Sequence, residues 1–396
     1  MEISIVKYNF DEIINRRNTS SLKWDVKENE LPMWVADMDF KTAPTIIDAL
    51  KKRIDQGVYG YTLIPDEWYS TIIDFYKTRH NFEIKKEWLV FSLGVVPTIS
   101  SSVRKITSVN DNVVVLSPVY NIFYNSIINN NRNVLEVKLK YDGESYSIDY
   151  EKLEEALADE KTTMLIFCNP HNPVSKIWNK EDLIKVGALC KKYNVVVLSD
   201  EIHSEIVRPN FSYTPFISVS EENLNSTIMA FSPTKPFNMA GIQTSVICIP
   251  NDELRKKVVR QINTDEVAEP NILSCIATIA AYKDSLDFLD ELREYLFSNR
   301  DLASEYIEKE IPELKLIDGD ATYLLWINID KLNTDSETFA SYLREKTGLI
   351  ITAGKEYSGD GDHFIRMNVA CSKKVLLDGL NRLKVGTKAF LNEKSK

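Results

Sequence analysis

The sequence has no apolar stretch long enough to cross a membrane, and its opening residues, MEISIVKYNFDEIINRR, lack the pattern of a secretory signal. We therefore expect a cytoplasmic protein without a membrane partner. An excess of basic residues is also missing, because 48 Lys and Arg stand against 58 Asp and Glu, for a formal net charge of −10. Since nucleic-acid phosphates require a basic face, we expect no nucleic-acid partner.

Cysteine is scarce, and the five cysteines form no C-x-x-C pair. This spacing predicts neither a disulfide framework nor a zinc site, and we expect no metal. Internal repeats and low-complexity segments are absent as well. The chain does have 396 residues, 44% hydrophobic and 27% charged, which is typical of a globular protein and exceeds one ordinary core. We therefore expect two domains.

Short continuous apolar runs recur from residue 88 onward, and each is typical of a strand that is covered on both faces. The runs are 88–92, 113–116, 164–168, 195–198, 228–231 and 244–249. Helical patterns lie between them, so the alternation predicts an α/β fold with a mostly parallel sheet between helices. A long amphipathic pattern over 285–310 then opens a smaller α+β unit. We expect a large domain at 45–284 and a small domain formed by 1–44 together with 285–396.

The stretch 227–244, TIMAFSPTKPFNMAGIQT, carries reactive groups at the end of a predicted strand. Ser232, Thr234 and Lys235 follow the apolar run directly, and open α/β sheets bind ligands at the carboxyl ends of their strands. A lysine held against apolar surface loses its proton more readily and can attack a carbonyl as a free amine. Hydroxyls and backbone N–H groups beside it can hold a phosphate. These residues suggest a Schiff-base lysine for pyridoxal phosphate, and a solvated surface lysine is the alternative.

Other predicted strand ends carry groups that a pyridine ring needs. Asp200 follows one strand, where a buried carboxylate could keep the ring nitrogen protonated, although it could instead cap the next helix. Asn169 and Asn172 follow another strand and could donate to a phenolate oxygen, although each precedes a proline and could form a plain turn. Tyr120 could stack on the ring or belong to the core.

Several stretches in one order along the chain resemble the MalY/PatB family of cystathionine β-lyases and cysteine C–S lyases, within the fold-type I pyridoxal phosphate (aspartate aminotransferase-like) superfamily. The stretches are MWVADMDF (33–40), GVYGYT (57–62), GVVP (94–97), SPVY (117–120), CNPHNP (168–173), SDEIH (199–203), the lysine loop and FIRMNVA (364–370). The resemblance implies a large domain with a mostly parallel seven-stranded sheet between helices and a smaller α+β domain.

The resemblance also implies roles around the cofactor ring. Lys235 carries pyridoxal phosphate as a Schiff base and is catalytic together with Asp200 and Tyr120. Asp200 pairs with the ring nitrogen, and Tyr120 stacks on the ring. Asn172 and His203 stand near the phenolic oxygen, and the Asn172–Pro173 bond is a candidate for a cis peptide.

At the phosphate, the resemblance implies that the backbone N–H groups of Val95 and Val96 act together with the hydroxyls of Ser232 and Thr234. The sequence departs from many aminotransferases of this fold at Gln243, where they place a phosphate-binding arginine. Less positive charge at the phosphate is the expected consequence.

For the substrate, the resemblance implies that Arg366 clamps the α-carboxylate and that Ala36 and Tyr61 contribute to binding. Tyr61 would reach the cofactor site of the neighbouring subunit, which predicts a homodimer. The implied reaction is α,β-elimination from cystathionine or cysteine-type substrates to pyruvate, ammonia and a thiol or sulfide. An aminotransferase acting on a 2-oxo acid is the alternative, because it would use the same groups. Some family members also bind a transcription factor, so the resemblance adds a transcription-factor partner to the expectations.

Overall fold

The computed structural model describes residues 7–394. Within that range the chain forms fifteen strands: β1 (Leu31–Pro32), β2 (Leu89–Ser92), β3 (Asn112–Ser117), β4 (Asn133–Lys138), β5 (Lys140–Tyr141), β6 (Tyr146–Ser147), β7 (Thr162–Cys168), β8 (Val196–Asp200), β9 (Thr227–Phe231), β10 (Ser245–Cys248), β11 (Lys315–Leu316), β12 (Leu324–Asn328), β13 (Leu349–Ile350), β14 (Thr352–Ala353) and β15 (Phe364–Asn368).

Over the same residues the chain forms twelve α-helices: α1 (Pro44–Ile54), α2 (Asp66–His80), α3 (Val95–Ile106), α4 (Ile122–Ile128), α5 (Tyr150–Leu157), α6 (Lys180–Lys192), α7 (Glu221–Ser226), α8 (Asp252–Thr264), α9 (Ser274–Asp284), α10 (Leu286–Glu310), α11 (Ser336–Thr347) and α12 (Lys373–Lys394).

A seven-stranded sheet in the order β2-β10-β9-β8-β7-β3-β4 forms the centre of the large part of the chain. β10 runs antiparallel to both of its neighbours, and the other adjacent pairs are parallel. The predicted mostly parallel sheet of seven strands is therefore confirmed.

The sheet is covered on both faces because its central strands are apolar at successive positions. In β3, Val113 and Val115 enter the hydrophobic core on one side, whereas Val114 and Leu116 enter a different core on the other side. This alternation is what a strand buried between two layers of helices requires. Polar groups therefore occur at the strand ends. The parallel strands β3, β7, β8 and β9 all end at the same edge of the sheet, its carboxyl edge.

A second sheet, antiparallel and four-stranded, has the order β11-β12-β15-β14. Trp326 of β12 stacks on Phe364 of β15 with the ring centroids 4.9 Å apart. The N-terminal arm joins this region through β1, which pairs in parallel with β13. The domain division between 45–284 and the rest of the chain stays a prediction.

Across residues 7–394, none of the helices combines the length and the apolar character needed to cross a membrane. The five cysteines are buried free thiols. Three peptide bonds in the described chain are cis: Ser117–Pro118, Asn169–Pro170 and Asn172–Pro173.

A buried ionic cluster ties α2 to the turn that follows β8 and to α10. Glu205 Oε1 lies 2.7 Å from His80 Nε2, and Glu205 Oε2 lies 3.5 Å from Arg79 Nε. Arg79 also pairs with Asp290 of α10. Burial alone would raise the pKa of Glu205, but the charges of His80 and Arg79 outweigh it and lower that pKa.

We expect Glu205→Gln to reduce the free energy of unfolding by about 3 kcal/mol near neutral pH, because the partner charges would stay buried without compensation. A lowered folded-state pKa means that the carboxylate stabilises the fold above its unfolded pKa and loses this effect as the pH falls through the folded value. In urea unfolding, the difference in the free energy of unfolding between Glu205→Gln and the parent protein should therefore become smaller below about pH 4.5.

Glu67→Gln is the matched control, since it removes an exposed pair with Lys283 and should cost less than about 1 kcal/mol. A Glu205→Gln penalty that stays the same on either side of that pH would contradict the assignment.

Candidate active site

A cavity of about 540 Å³ lies at the carboxyl edge of the large sheet. It is lined by ten of the residues that the sequence singled out: Ala36, Val95, Val96, Tyr120, Asn172, Asp200, His203, Thr234, Lys235 and Arg366. Segments more than 300 residues apart in the chain thus meet in one place, because the strand ends and β15 face the same space. Ser232 and Tyr61 do not line the cavity.

Lys235 reaches the cavity from the turn after β9. Its Nζ donates to the backbone carbonyl of Ala36 at 2.5 Å. Burial, followed by the nearby positive charge of Arg366, lowers the pKa of Lys235 to about 8, although the negative charges of Asp37 and Asp200 oppose the shift. A lysine with this pKa has an appreciable unprotonated fraction near neutral pH, so it can act as a base or a nucleophile.

Asp200 is the last residue of β8 and is buried, with 4% of its surface exposed. The chain after it makes a turn instead of a helix, so the helix-cap alternative is wrong. The backbone N–H of Ile202 donates to Asp200 Oδ1 at 3.1 Å. Burial raises the pKa of Asp200 to about 7 against the effects of that hydrogen bond and of Lys235. A cationic ligand group beside this carboxyl would favour its ionised form.

Arg366 projects from β15 and is held by one main-chain carbonyl and one side-chain amide oxygen. Its Nη2 donates to the Trp34 carbonyl at 2.9 Å, and its Nη1 donates to Asn172 Oδ1 at 3.4 Å. The guanidinium carbon lies 4.8 Å from the ring centroid of Tyr357. Its Nε has no hydrogen-bond partner in the described chain. The guanidinium fork is thus oriented, and the hydrogens that its two Nη atoms do not donate to Trp34 and Asn172 remain for a ligand carboxylate.

His203 and Tyr120 are two uncharged residues of the lining. Burial, then the charges of Lys235 and Arg366, lower the pKa of His203 to about 3, so its imidazole is neutral. His203 Nδ1 has no hydrogen-bond partner among residues 7–394. Tyr120 meets Phe123 edge to face at 5.8 Å, and burial raises the pKa of its phenol.

One end of the cavity can accept an anion. α3 begins at Val95, and its N-cap residue Gly94 offers no side-chain acceptor, so the first backbone N–H groups of the helix have no partner inside the helix. Thr234 and Gln243 line the same cavity. Ser232 lies behind Thr234, with its Oγ 2.8 Å from Thr234 Oγ1 and 2.6 Å from the Thr244 carbonyl.

The segment between α1 and α2 exposes apolar side chains: Val58, Tyr59, Tyr61 and Leu63. Tyr61 is fully exposed, and the Tyr59 hydroxyl donates to the Ile54 carbonyl at 3.0 Å. A role for Tyr61 in a neighbouring subunit stays a prediction.

Comparison with known proteins agrees with this geometry. The family model for aminotransferase class I and II matches residues 30–383. The chain belongs to this family. Among its relatives, cystathionine β-lyase PatB of Bacillus subtilis (strain 168) is 37% identical over 383 residues, covering 95% of this chain and 99% of PatB.

Two solved structures match nearly the whole chain. Cystalysin from Treponema denticola, which contains pyridoxal 5'-phosphate, matches with a TM-score of 0.94 and 32% identity, covering 96% of this chain and 99% of cystalysin. The pyridoxal phosphate-bound C–S lyase from Staphylococcus hominis matches with a TM-score of 0.90 and 31% identity, covering 96% and 98% of the two chains. The resemblance drawn from the sequence motifs and the fold-type I architecture are confirmed.

The cavity is also lined by residues that the sequence analysis did not assign to the site. They include Asn121, Thr352, Glu356 and Tyr357. Three of the four lie shortly before β15, at or beside a turn that contains several glycines. The proximity of this turn to Arg366 in sequence was the available signal.

Proposed function

We propose that the protein is a pyridoxal phosphate-dependent C–S β-lyase that acts on cystathionine and cysteine-type amino acids. Its products would be pyruvate, ammonia and a thiol or sulfide. The observation that carries the proposal is the meeting of Lys235, Asp200 and Arg366 in one cavity. The names of the relatives, a cystathionine β-lyase and a C–S lyase, support the choice of reaction.

The cofactor is pyridoxal 5'-phosphate, and the donor set fits it. The cavity offers an amine with a lowered pKa on Lys235, a buried carboxyl on Asp200, an aromatic face on Tyr120 and a helix N-terminus at Val95. His203 Nδ1 adds a buried polar atom without a protein partner. We propose that Asn172 and His203 stand by the phenolic oxygen, and that the phosphate is held at the start of α3.

For the phosphate, the proposed partners are the N–H groups of Val95 and Val96 together with Thr234 and the amide of Gln243. Ser232 acts through its contact with Thr234. An amide in place of an arginine supplies hydrogen bonds without charge, so the helix N-terminus provides much of the positive potential.

In the proposed reaction, Lys235, Asp200 and Arg366 each have one task. Pyridoxal phosphate, when bound, supplies an electron sink for the negative charge that develops at the substrate Cα. Arg366 binds the α-carboxylate through its oriented fork, and Ala36 and Tyr120 border the same space. Lys235 takes the proton from Cα. Asp200 holds a proton on the ring nitrogen of the cofactor.

After the Cα proton has moved to Lys235, the Cβ–S bond breaks and the sulfur leaves as a thiolate. Water then converts the unsaturated amino acid product to pyruvate and ammonia. In an aminotransferase, the proton taken from Cα would be transferred to the cofactor instead. The lyase and the aminotransferase thus differ in where this proton goes.

Product analysis tests the proposed function. The holoenzyme is incubated with cystathionine without any 2-oxo acid, and pyruvate and free thiol are followed together. Continuing release of both in equal amounts is expected. Formation of pyridoxamine phosphate that a 2-oxo acid reverses, without thiol release, would instead identify an aminotransferase.

Arg366→Ala should mainly weaken substrate binding. We expect KM to rise by about thirtyfold or more, because the substrate carboxylate would enter the cavity without its charged partner. Arg366→Lys keeps the charge but not the two-pronged geometry, so its KM should lie between those of the parent and Arg366→Ala. An unchanged KM in Arg366→Ala would refute the assigned role.

We further propose a cytoplasmic homodimer in which Tyr61 enters the partner's site. The exposed apolar side chains between α1 and α2 support a buried position for this segment in an assembly. Sedimentation analysis of the holoenzyme tests the proposal, and a monomer at micromolar concentration would contradict it. A transcription-factor partner stays a prediction from the family resemblance.

A further inference from the structure

Glu356 is a carboxylate at the rim of the cavity that the proposed reaction does not use. It lies in the turn before β15 and lines the same cavity as Lys235 and Arg366. Within the described chain, the acidic side chains in this lining are Asp200 and Glu356. Since Asp200 is assigned to the cofactor ring, Glu356 is the carboxylate left for a substrate.

Glu356 has no ion pair with a side chain of residues 7–394 at 4.0 Å or less, whereas its neighbour Lys355 pairs with Glu337 at 2.6 Å. Among residues 7–394, the side-chain hydrogen bond that the Glu356 carboxylate accepts is a long one, from Asn121 Nδ2 to its Oε2 at 3.5 Å. Partial burial raises the pKa of Glu356, and the charge of Arg366 opposes that change. The carboxylate is thus free to take a cation that enters the cavity.

The turn that carries Glu356 is held tightly in place. A Cβ on Gly354 would lie 2.3 Å from the Gly361 carbonyl oxygen, so the two sides of the turn touch backbone to backbone. The Val119 N–H donates to the Tyr357 carbonyl at 3.0 Å, which attaches the turn to the segment that bears Tyr120. A fixed backbone gives the Glu356 side chain a defined place at the rim.

We propose that Glu356, with Asn121 beside it, forms a subsite for a cationic ammonium on the leaving-group half of the substrate. The preferred class is then thioether amino acids whose thiol portion carries an amine, of which cystathionine is one. The proposal rests on the proposed lyase function. Arg366 attracts the carboxylate at one end of such a molecule, and Glu356 attracts the ammonium at the other.

The experiment compares two thioethers of equal length, S-(2-aminoethyl)-L-cysteine and S-propyl-L-cysteine, which differ in the terminal ammonium. The measured quantity is the ratio of their kcat/KM values for pyruvate release by the holoenzyme. Glu356→Gln should reduce the ratio of amine to neutral substrate by about fivefold, the size expected for a charge-assisted contact at a partly exposed site. The change should appear in KM.

A second readout does not depend on elimination. L-Lysine and L-2-aminoheptanoate have the same lengths as the two thioethers but no sulfur leaving group, and their binding is followed by the absorbance of the cofactor. The parent holoenzyme should bind L-lysine more tightly than L-2-aminoheptanoate, and Glu356→Gln should lose this preference. Glu337→Gln is the matched control, because it removes a carboxylate near the same turn but outside the cavity; it should keep both ratios.

The outcomes separate the two proposals. If pyruvate is not released from either thioether while the binding preference depends on Glu356, the lyase function fails and the subsite stands. If pyruvate is released but both ratios for Glu356→Gln stay within about twofold of the parent, the subsite proposal is overturned. The subsite proposal is also overturned if Glu356→Gln reduces kcat/KM and binding equally for charged and neutral compounds and the oligomer dissociates. Glu356 would then act at a contact between subunits.

Discussion

Lys235→Ala is expected to lose about a thousandfold or more of the release of pyruvate and thiol, within the range for removal of a positioned general base. The reason is the lowered pKa of this lysine, about 8, which makes an unprotonated amine available beside the substrate. No other lysine lines the cavity within the described chain, so a substitute base of this type is missing. Release of pyruvate is measured with saturating cystathionine.

The fold should survive the change, because the side-chain hydrogen bond that Lys235 makes is the one to the Ala36 carbonyl. Far-ultraviolet circular dichroism and the midpoint of urea unfolding check this expectation. Lys138→Ala is the matched control, since Lys138 is an exposed lysine at the carboxyl end of β4 in register with Ser117. Near-parental turnover by Lys235→Ala would refute the mechanism.

Asp200→Asn should reduce kcat by about a hundredfold or more, the loss typical when one electrostatic stabiliser is removed from a site. Asparagine has a similar size but carries no negative charge, so it would not hold the proton on the ring nitrogen. Because Asp200 also gives the cofactor a charged partner, the dissociation constant of pyridoxal phosphate should rise too. Equilibrium dialysis measures this constant, and pyruvate release measures kcat.

Glu136→Gln provides the comparison for Asp200→Asn. Glu136 belongs to β4 of the same sheet, accepts a hydrogen bond from the Tyr124 hydroxyl at 2.8 Å and lies outside the cavity. Its kcat should stay within about twofold of the parent. If the two variants lose activity to a similar degree, a general loss of packing would explain the result, and the role assigned to Asp200 would be wrong.

Strands buried on both faces could be predicted from the sequence, and so could the mostly buried edge strand β2, whereas the edge strand β4 could not. β3, β7, β8 and β9 each contain a continuous apolar run, because helices cover both of their sides. β4 escaped prediction since it lies at the edge of the sheet and is only partly buried. Glu136 and Lys138 interrupt its apolar pattern, as an edge exposed to solvent permits.

The same physical distinction applies to the site. Asp200 ends one parallel strand, and Lys235 and Asn172 each come four residues after the end of another. The geometry of a parallel sheet brings such positions to one edge. The residues around Arg366 do not distinguish it from an ordinary basic residue, and its role comes from the family resemblance alone. Apart from its closeness to Arg366 in the sequence, Glu356 had no local signature, because its position depends on the approach of a distant turn to the segment after β3. Contacts of this kind arise from tertiary packing and leave no periodicity in the sequence.

Each of the two cations of the cavity has an acceptor in the main chain, although Arg366 also donates to the Asn172 side chain. Lys235 donates to the carbonyl of Ala36, and Arg366 donates to the carbonyl of Trp34. Every amino acid has the same backbone carbonyl, so a substitution at position 34 or 36 keeps both main-chain acceptors. The substitutions that the segment around Trp34 and Ala36 tolerates in evolution are therefore limited by the path of its backbone. Asn368 fixes that path, because its side-chain amide donates to the carbonyls of Val35 and Asp37.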